Sequence, residues 1–279
     1  MKKVLIAITL LLLITGLTVD AQWRSDTHDE YHALQRPADI TIDGSLDEAE
    51  GWEGVFETVT GEDGEPYCGL EFEKIGKFEP HGGGQWGGAK DHETCFAIVW
   101  DEDAVYLALS VTDDEHNQAN AGAGGAWNGD GAQLSFIPSG MRVDGQQNIL
   151  INFALNNDGV LLLHNETLHG NPGLTEEQVV IVRNEDEKET YYEIQIKPDN
   201  FGMDSFEEGY EFGLGICVND GDLAAGQAGQ KGWSGWYPHA VVHGKNPSQT
   251  GLVILTDEQL AVEAKNKLTT TWGRLKSTR

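Results

Sequence analysis

The chain has 279 residues and a formal net charge of −28 at pH 7, from 46 acidic and 18 basic side chains. A field of that sign repels phosphate backbones and anionic headgroups, which excludes nucleic-acid and membrane-surface binding as main roles. Divalent cations, basic surfaces and neutral ligands stay open as partners, and the excess charge also keeps a chain soluble.

Residues 1–21 read as a secretory signal peptide. Lys2 and Lys3 give the positive start, Val4 to Leu13 the apolar stretch, and Val19-Asp20-Ala21 the cleavage site before Gln22. The run is too short and wrongly flanked for a transmembrane helix, so the expected product is secreted or periplasmic, with no membrane insertion. Residues 22–37 then form a lead-in, 38–256 a single domain, and 257–279 a basic tail. Over 264–279 the tail carries Lys265, Lys267, Arg274, Lys276 and Arg279 against no acid. A short helix, a spacer, or an export or attachment signal all fit it, with disorder as the default.

Between lead-in and tail, short alternating or apolar runs are separated by turn chemistry. That pattern predicts an all-β fold, an antiparallel β-sandwich (immunoglobulin-like or jelly-roll-like) of about ten strands. Strands are expected near 40–42, 94–100, 104–112, 132–137, 149–155 and 160–163, then near 179–183, 191–197, 211–218 and 252–255. The stretches D-E-D-A at 101–104 and N-N-D-G at 156–159 look like hairpin turns. Helical turns are expected at 45–52, with Ser45 as N-cap and Glu48 three residues later, and at 198–203, opened by Pro198. Three cysteines leave at least one unpaired. Cys68 and Cys95 flank a glycine-rich loop and are the disulfide candidates for an oxidising compartment. Cys217, in L-G-I-C-V, reads as a small core residue.

Four tryptophans lie in glycine-rich segments: Trp86 in H-G-G-G-Q-W-G-G, Trp127 in G-A-G-G-A-W-N-G-D-G, and Trp233 and Trp236 in K-G-W-S-G-W-Y-P. Each fits a cap on the core about as well as a ligand contact. Three such loops together favour a surface that stacks on flat, half-apolar ligands such as sugar rings. A pyranose also needs donors and acceptors for its hydroxyls, and Asn128, Asp130, Gln133, Asn152 and Asn219 are the polar candidates. Asp130, between two glycines, reads slightly more as a turn cap than as a sugar contact. Asn152 and Asn219 fall in or at the ends of strands, where loop backbone or a ligand must satisfy them.

In chain order, I-T-I-D-G-S-L-D-E-A-E-G-W (40–52), F-A-I-V-W-D-E-D-A-V-Y-L-A-L-S-V-T-D-D (96–114) and W-N-G-D-G-A-Q-L-S-F-I (127–137) resemble the opening, the central hairpin and a strand entry of the family 9 carbohydrate-binding modules, within the DOMON-like sandwich relatives. Y-Y-E-I-Q-I-K (191–197), F-G-L-G-I-C-V-N-D (212–220) and G-K-N-P-S-Q-T-G-L-V-I-L (244–255) resemble the later strands and closing turn. The resemblance implies a single sandwich that holds oligo- or polysaccharide, often at a chain end, between two aromatics. It places Trp127 on the first stacking position and Gln133 on the acidic residue that bonds sugar hydroxyls, where Gln adds a donor. The second stacking Trp of the pattern is replaced here by His243 or Gly244, so Trp233, Trp236 or Tyr237 would supply that face, with Trp86 as a further part of the platform. Structural calcium is common among such relatives. Asp43, Asp113 and Asp114 are its expected ligands here, and the acids at 101–103 and at 220 and 222 lack EF-hand spacing.

No G-x-S-x-G or H-E-x-x-H motif occurs, and the histidines read as scattered loop residues, so no catalysis is expected in this chain. A separate glycoside hydrolase or a cell-surface component is the implied macromolecular partner. Two alternatives from other classes are a haem-binding electron carrier using Met141 or Met203, and a surface or matrix adhesion protein.

Overall fold

The computed structural model describes residues 29–61, 64, 66–68, 78–143, 145–222, 230–242 and 245–260. The expected signal peptide, the stretch 261–279, His243 and Gly244 lie outside the described residues. Among the described residues, twelve strands form one continuous sheet: β1 Glu30–Gln35, β2 Glu79–Pro80, β3 His92–Trp100, β4 Val105–Asp113, β5 Gly131–Ile137, β6 Ile149–Leu155, β7 Leu161–Thr167, β8 Val179–Asn184, β9 Glu189–Ile196, β10 Glu211–Asp220, β11 Gly232–Trp236 and β12 Gly251–Gln259. Their order is β7-β6-β5-β10-β12-β1-β3-β4-β9-β8, and β11 joins β10 to β2.

The sheet doubles over at β12 and β1 into two layers. Inward residues of β10 (Phe212, Leu214, Ile216, Val218), β5 (Ala132, Leu134, Phe136) and β6 (Ile149, Ile151, Phe153) meet Phe96 and Ile98 of β3, Leu107 and Leu109 of β4, and Tyr192 and Ile194 of β9 in one core. Phe153 and Tyr192 face each other across the layers, ring centroids 6.0 Å apart. Strict alternation along each strand produces this, because successive side chains leave opposite faces of a pleated strand.

Nine of the ten expected strands are present. The stretch 40–42 is not a strand. There Ile40 and Ile42 pack instead on the outer side of β3 and β4, together with Trp52 and Val55 of the helix α1, Trp52–Thr58. The helix begins where the expected turn at 45–52 ends, and the turn at 198–203 is a 3-10 turn, Pro198–Phe201. The expected lead-in supplies β1, which runs parallel to both β12 and β3, so the sandwich is not wholly antiparallel. Its Tyr31 is fully buried, and its hydroxyl bonds the backbone of Ile98. Both hairpin turns form. Asp101 Oδ1 accepts from the amides of Asp103 and Ala104, and Asn156 Oδ1 from those of Asp158 and Val160. Cys68 and Cys95 are joined in a disulfide. Cys217 is free and fully buried, which pushes its thiol well up.

The two outer faces of the sandwich differ. Over β3, β4 and β9, α1 and its neighbours cover the sheet with apolar side chains, and the buried carboxylate of Glu193 is closed off by Trp52 Nε1 and the amides of Asp43 and Gly44. Over β7, β6, β5, β10 and β11 the outer residues are His164, Asn152, Gln133, Asn219 and Trp233, a polar row with a groove above it.

Candidate functional site

Cross-strand register builds that row. Asn152 of β6 pairs with His164 of β7 on one side and Gln133 of β5 on the other. Gln133 pairs in turn with Cys217 of β10, and Asn219 of β10 with Trp233 of β11. The groove has a cavity volume of about 540 Å³ and is lined by Trp127, Gln133, His164, Glu166, Gln230 and Trp233. His81, Gly124, Val241, Val242 and Lys245 line it as well. Trp127 is 45% exposed, the one tryptophan of the groove open to solvent. Its loop is short because Gly129 turns it at φ +109, and a Cβ there would lie 2.8 Å from the Asn117 carbonyl oxygen.

The floor is an amide network. Asn219 Nδ2 donates to the Trp127 carbonyl oxygen at 2.7 Å. Asn219 Oδ1 accepts from Gln133 Nε2 at 3.2 Å and from Gln230 Nε2 at 2.9 Å. Asn152 Nδ2 donates to Glu166 Oε2 at 2.9 Å, and Glu166 also pairs with Lys245. Nearly every polar group in the floor is thus held by another, as burial requires. His164 Nδ1 is buried with no hydrogen-bond partner among the described residues, and Gln133 Oε1 and Asn152 Oδ1 have none among them either.

The expected platform is therefore assembled in part. Trp127, Gln133, Asn219 and Asn152 share one face, and Trp233 joins them as a wall. Trp233 is only 3% exposed, packed on Cys217 and Val241 and near His81, with Nε1 donating to Glu79 Oε2 at 2.8 Å. Trp236 is not in the groove. It sits three positions on from Trp233 along β11, so it points to the opposite face and packs in the core against Tyr31, Tyr67 and Phe96. Trp86 is likewise outside the groove. It stacks on Phe78 with an interplanar angle of 8°, and its Nε1 donates to the His92 carbonyl oxygen.

The histidines are not all loop residues. His164 sits in β7 and faces the groove. His92 starts β3, buried against Ser234 Oγ at 2.7 Å, and burial lowers its pKa to about 4. His164 and Glu166 were detectable from the sequence, since they alternate with Leu161 and Leu163 and so lie on one face. Lys245 and Gln230 carry no such signal, because loops bring them in.

A second cluster caps one end of the core. Asp113, Asp130 and Asp220 each continue an inward-facing row, of β4, β5 and β10. Ligand atoms lie within 4.8 Å of one another in three groups: Asp113, His116 and Asp130; Asp113, Asp220 and Asp222; and Asp91, Asp114 and Asp222. Asp130 is neither a cap of its own turn nor a groove residue. Its carboxylate binds the amides of Asn117 and Gly221 and so staples two loops. Lys231 pairs with Asp91, with Asp222 at 3.0 Å and with Asp220 at 3.6 Å, and Arg183 with Asp113 at 3.8 Å. Burial raises the pKa of Asp220 to about 8 and that of Asp113 to about 6, and lifts Asp130 well above its ordinary value. Asp113 and Asp114 of the expected metal set fall in this cluster. Asp43 does not, because its carboxylate closes a turn on the Ser45 amide at 2.8 Å.

The family model described as carbohydrate family 9 binding domain-like matches residues 80–258. In fold, the chain is similar to a carbohydrate binding module family 9 from Caldicellulosiruptor kristjanssonii in complex with cellotriose. That likeness has a TM-score of 0.53 and 15% identity, and covers 84% of this chain and 97% of the other. A second structure, of a module of the same family and organism in complex with glucose, gives a TM-score of 0.48, 14% identity, and coverage of 84% and 100%. No curated protein matches the chain.

Proposed function

Since the chain belongs to the carbohydrate family 9 binding domain-like family, we propose that it is a non-catalytic carbohydrate-binding protein that holds a sugar in the groove beneath Trp127. The observation that carries this reading is one half-exposed indole set beside a row of buried, mutually bonded amides. The indole meets the apolar C–H face of a pyranose, and the amides meet its hydroxyls. With Trp233 packed into the wall, the platform is one-sided, and the Lys245–Glu166 pair bounds its far end. The ligand is an oligo- or polysaccharide, with cellotriose as the first probe because it occupies the related structure. The chain acts outside the cytoplasm, which the Cys68–Cys95 disulfide supports, and serves a separate glycoside hydrolase or a cell-surface component.

A structural calcium belongs to the same proposal. The donors fit it: both carboxylate oxygens of Asp220 and Oδ1 of Asp222 are buried without a hydrogen-bond partner among the described residues. Two basic side chains, Lys231 and Arg183, face six carboxylates there. Calcium prefers oxygen ligands, so Asp113, Asp220 and Asp222 would hold it, and its charge would replace the protons that burial otherwise draws onto Asp113 and Asp220.

A glycan array of the exported form, run with calcium and again with EDTA, tests both parts. Binding to a defined glycan is expected, weaker in EDTA. A silent array in both buffers overturns the sugar reading, and equal binding and equal melting temperatures in both remove the calcium.

A further inference from the structure

The direction of each hydrogen bond in the groove floor follows from two groups that only accept. The Trp127 carbonyl has no proton to give, so the end of Asn219 that meets it, at 2.7 Å, must be its NH2. Oδ1 of Asn219 is thereby left facing Gln133 and Gln230, each of which must turn its own NH2 toward it. Gln133 Oε1 has no hydrogen-bond partner among the described residues, and Gln133 lines the groove. The Glu166 carboxylate accepts only, so Asn152 gives it Nδ2 and keeps Oδ1 unbonded among the described residues. Gln133 and Asn152 are direct cross-strand partners on one face.

From this we infer that Asn219 is a positioning residue that fixes both the Trp127 loop and the polarity of the floor, so that the floor presents carbonyl oxygens and selects ligand groups that donate. The inference rests on the sugar reading and narrows it. Hydroxyls of a neutral sugar fit the floor, whereas a uronate carboxylate would meet oxygens with oxygens. It also explains why Gln133 is an amide and not an acid. A glutamate side chain in its place has no N–H for Asn219 Oδ1 and would set a carboxylate oxygen against it, which pulls Asn219 away from its bond to the Trp127 carbonyl even though Gln230 still donates to Oδ1.

Two substitutions test the relay, Asn219→Asp and Gln133→Glu. Each would be measured by cellotriose titration and by hydrogen–deuterium exchange over residues 117–131, with melting curves to confirm folding. The expected result for both is faster exchange in that loop and a fall in cellotriose affinity of about tenfold, the loss of one buried hydrogen bond. The exchange arm needs no ligand, so it still decides the relay if the unmodified protein ignores cellotriose, a result that would count against the sugar reading alone. Unchanged exchange in both variants overturns the relay. Gln133→Glu binding as tightly as the unmodified chain overturns it too.

Discussion

Asn219 and Asp220 are neighbours on β10, yet they belong to opposite kinds of polar interior. Asn219 faces the groove, where neutral amides complete one another's hydrogen bonds. Asp220 faces the core end, where six carboxylates meet two basic side chains and its own oxygens lack a hydrogen-bond donor among the described residues. A neutral network needs no further partner to be stable, so its open edge is free to take a ligand reversibly. A buried excess of charge must be relieved by protons or by a cation. The difference is why we propose recognition for the first region and stability for the second.

The largest effect should come from the charged region. Calcium at one hundred times its dissociation constant is expected to stabilise the fold by about 2.7 kcal/mol over the EDTA form, and Asp220→Asn should abolish most of that difference in thermal melts. An equal response of both proteins to calcium would place the ion elsewhere. In the groove, Trp127→Ala should weaken glycan binding by about 2 kcal/mol, roughly thirtyfold, with little change in melting temperature, since its side chain is half exposed. A large drop in stability would instead make Trp127 a core residue.

The pH response should separate the regions further. Asp113 and Asp220 are raised to about 6 and about 8 in the folded chain, above their ordinary 3.8, so the native state binds more protons than the unfolded one. Without calcium, their contribution is full below pH 3.8 and is lost as pH rises through those values. His92, lowered to about 4 from 6.5, acts in the opposite sense below pH 6.5, so between about 6.5 and 8 the loss due to Asp220 is no longer opposed by His92, and Asp130, also raised by burial, acts in the same sense as Asp220. Melting temperature in EDTA should fall across that window, and added calcium should remove the slope. A flat profile in EDTA would mean that Asp220 is already neutralised. The smallest effect is expected at Trp86, which lies outside the groove. Trp86→Ala should leave glycan affinity unchanged within about 0.5 kcal/mol, and any larger loss would extend the site beyond the groove.

The alternation of apolar residues made most strands legible, along with the turns at 101–104 and 156–159. It missed β1, whose six residues carry little pattern and gain their place from parallel pairing on both sides. It also contained more about the site than composition did. Trp233 and Trp236 are an odd number of positions apart, so a strand must send them to opposite faces. Asp113, Asp130 and Asp220 share the parity of the core residues preceding or following them, which marks them as inward. Reading K-G-W-S-G-W-Y-P as a loop hid the first fact, and reading Asp130 as a turn cap and weighing Asp220 only against EF-hand spacing hid the second. Lys245 and Gln230 were not legible at all, because only tertiary packing brings their loops to the groove.

The most direct test of the central claim is a crystal structure of the protein with a bound glycan. A sugar ring is expected against the Trp127 indole, with a hydroxyl within hydrogen-bond distance of Gln133 Oε1. A glycan seated elsewhere, with the groove floor untouched, would contradict it.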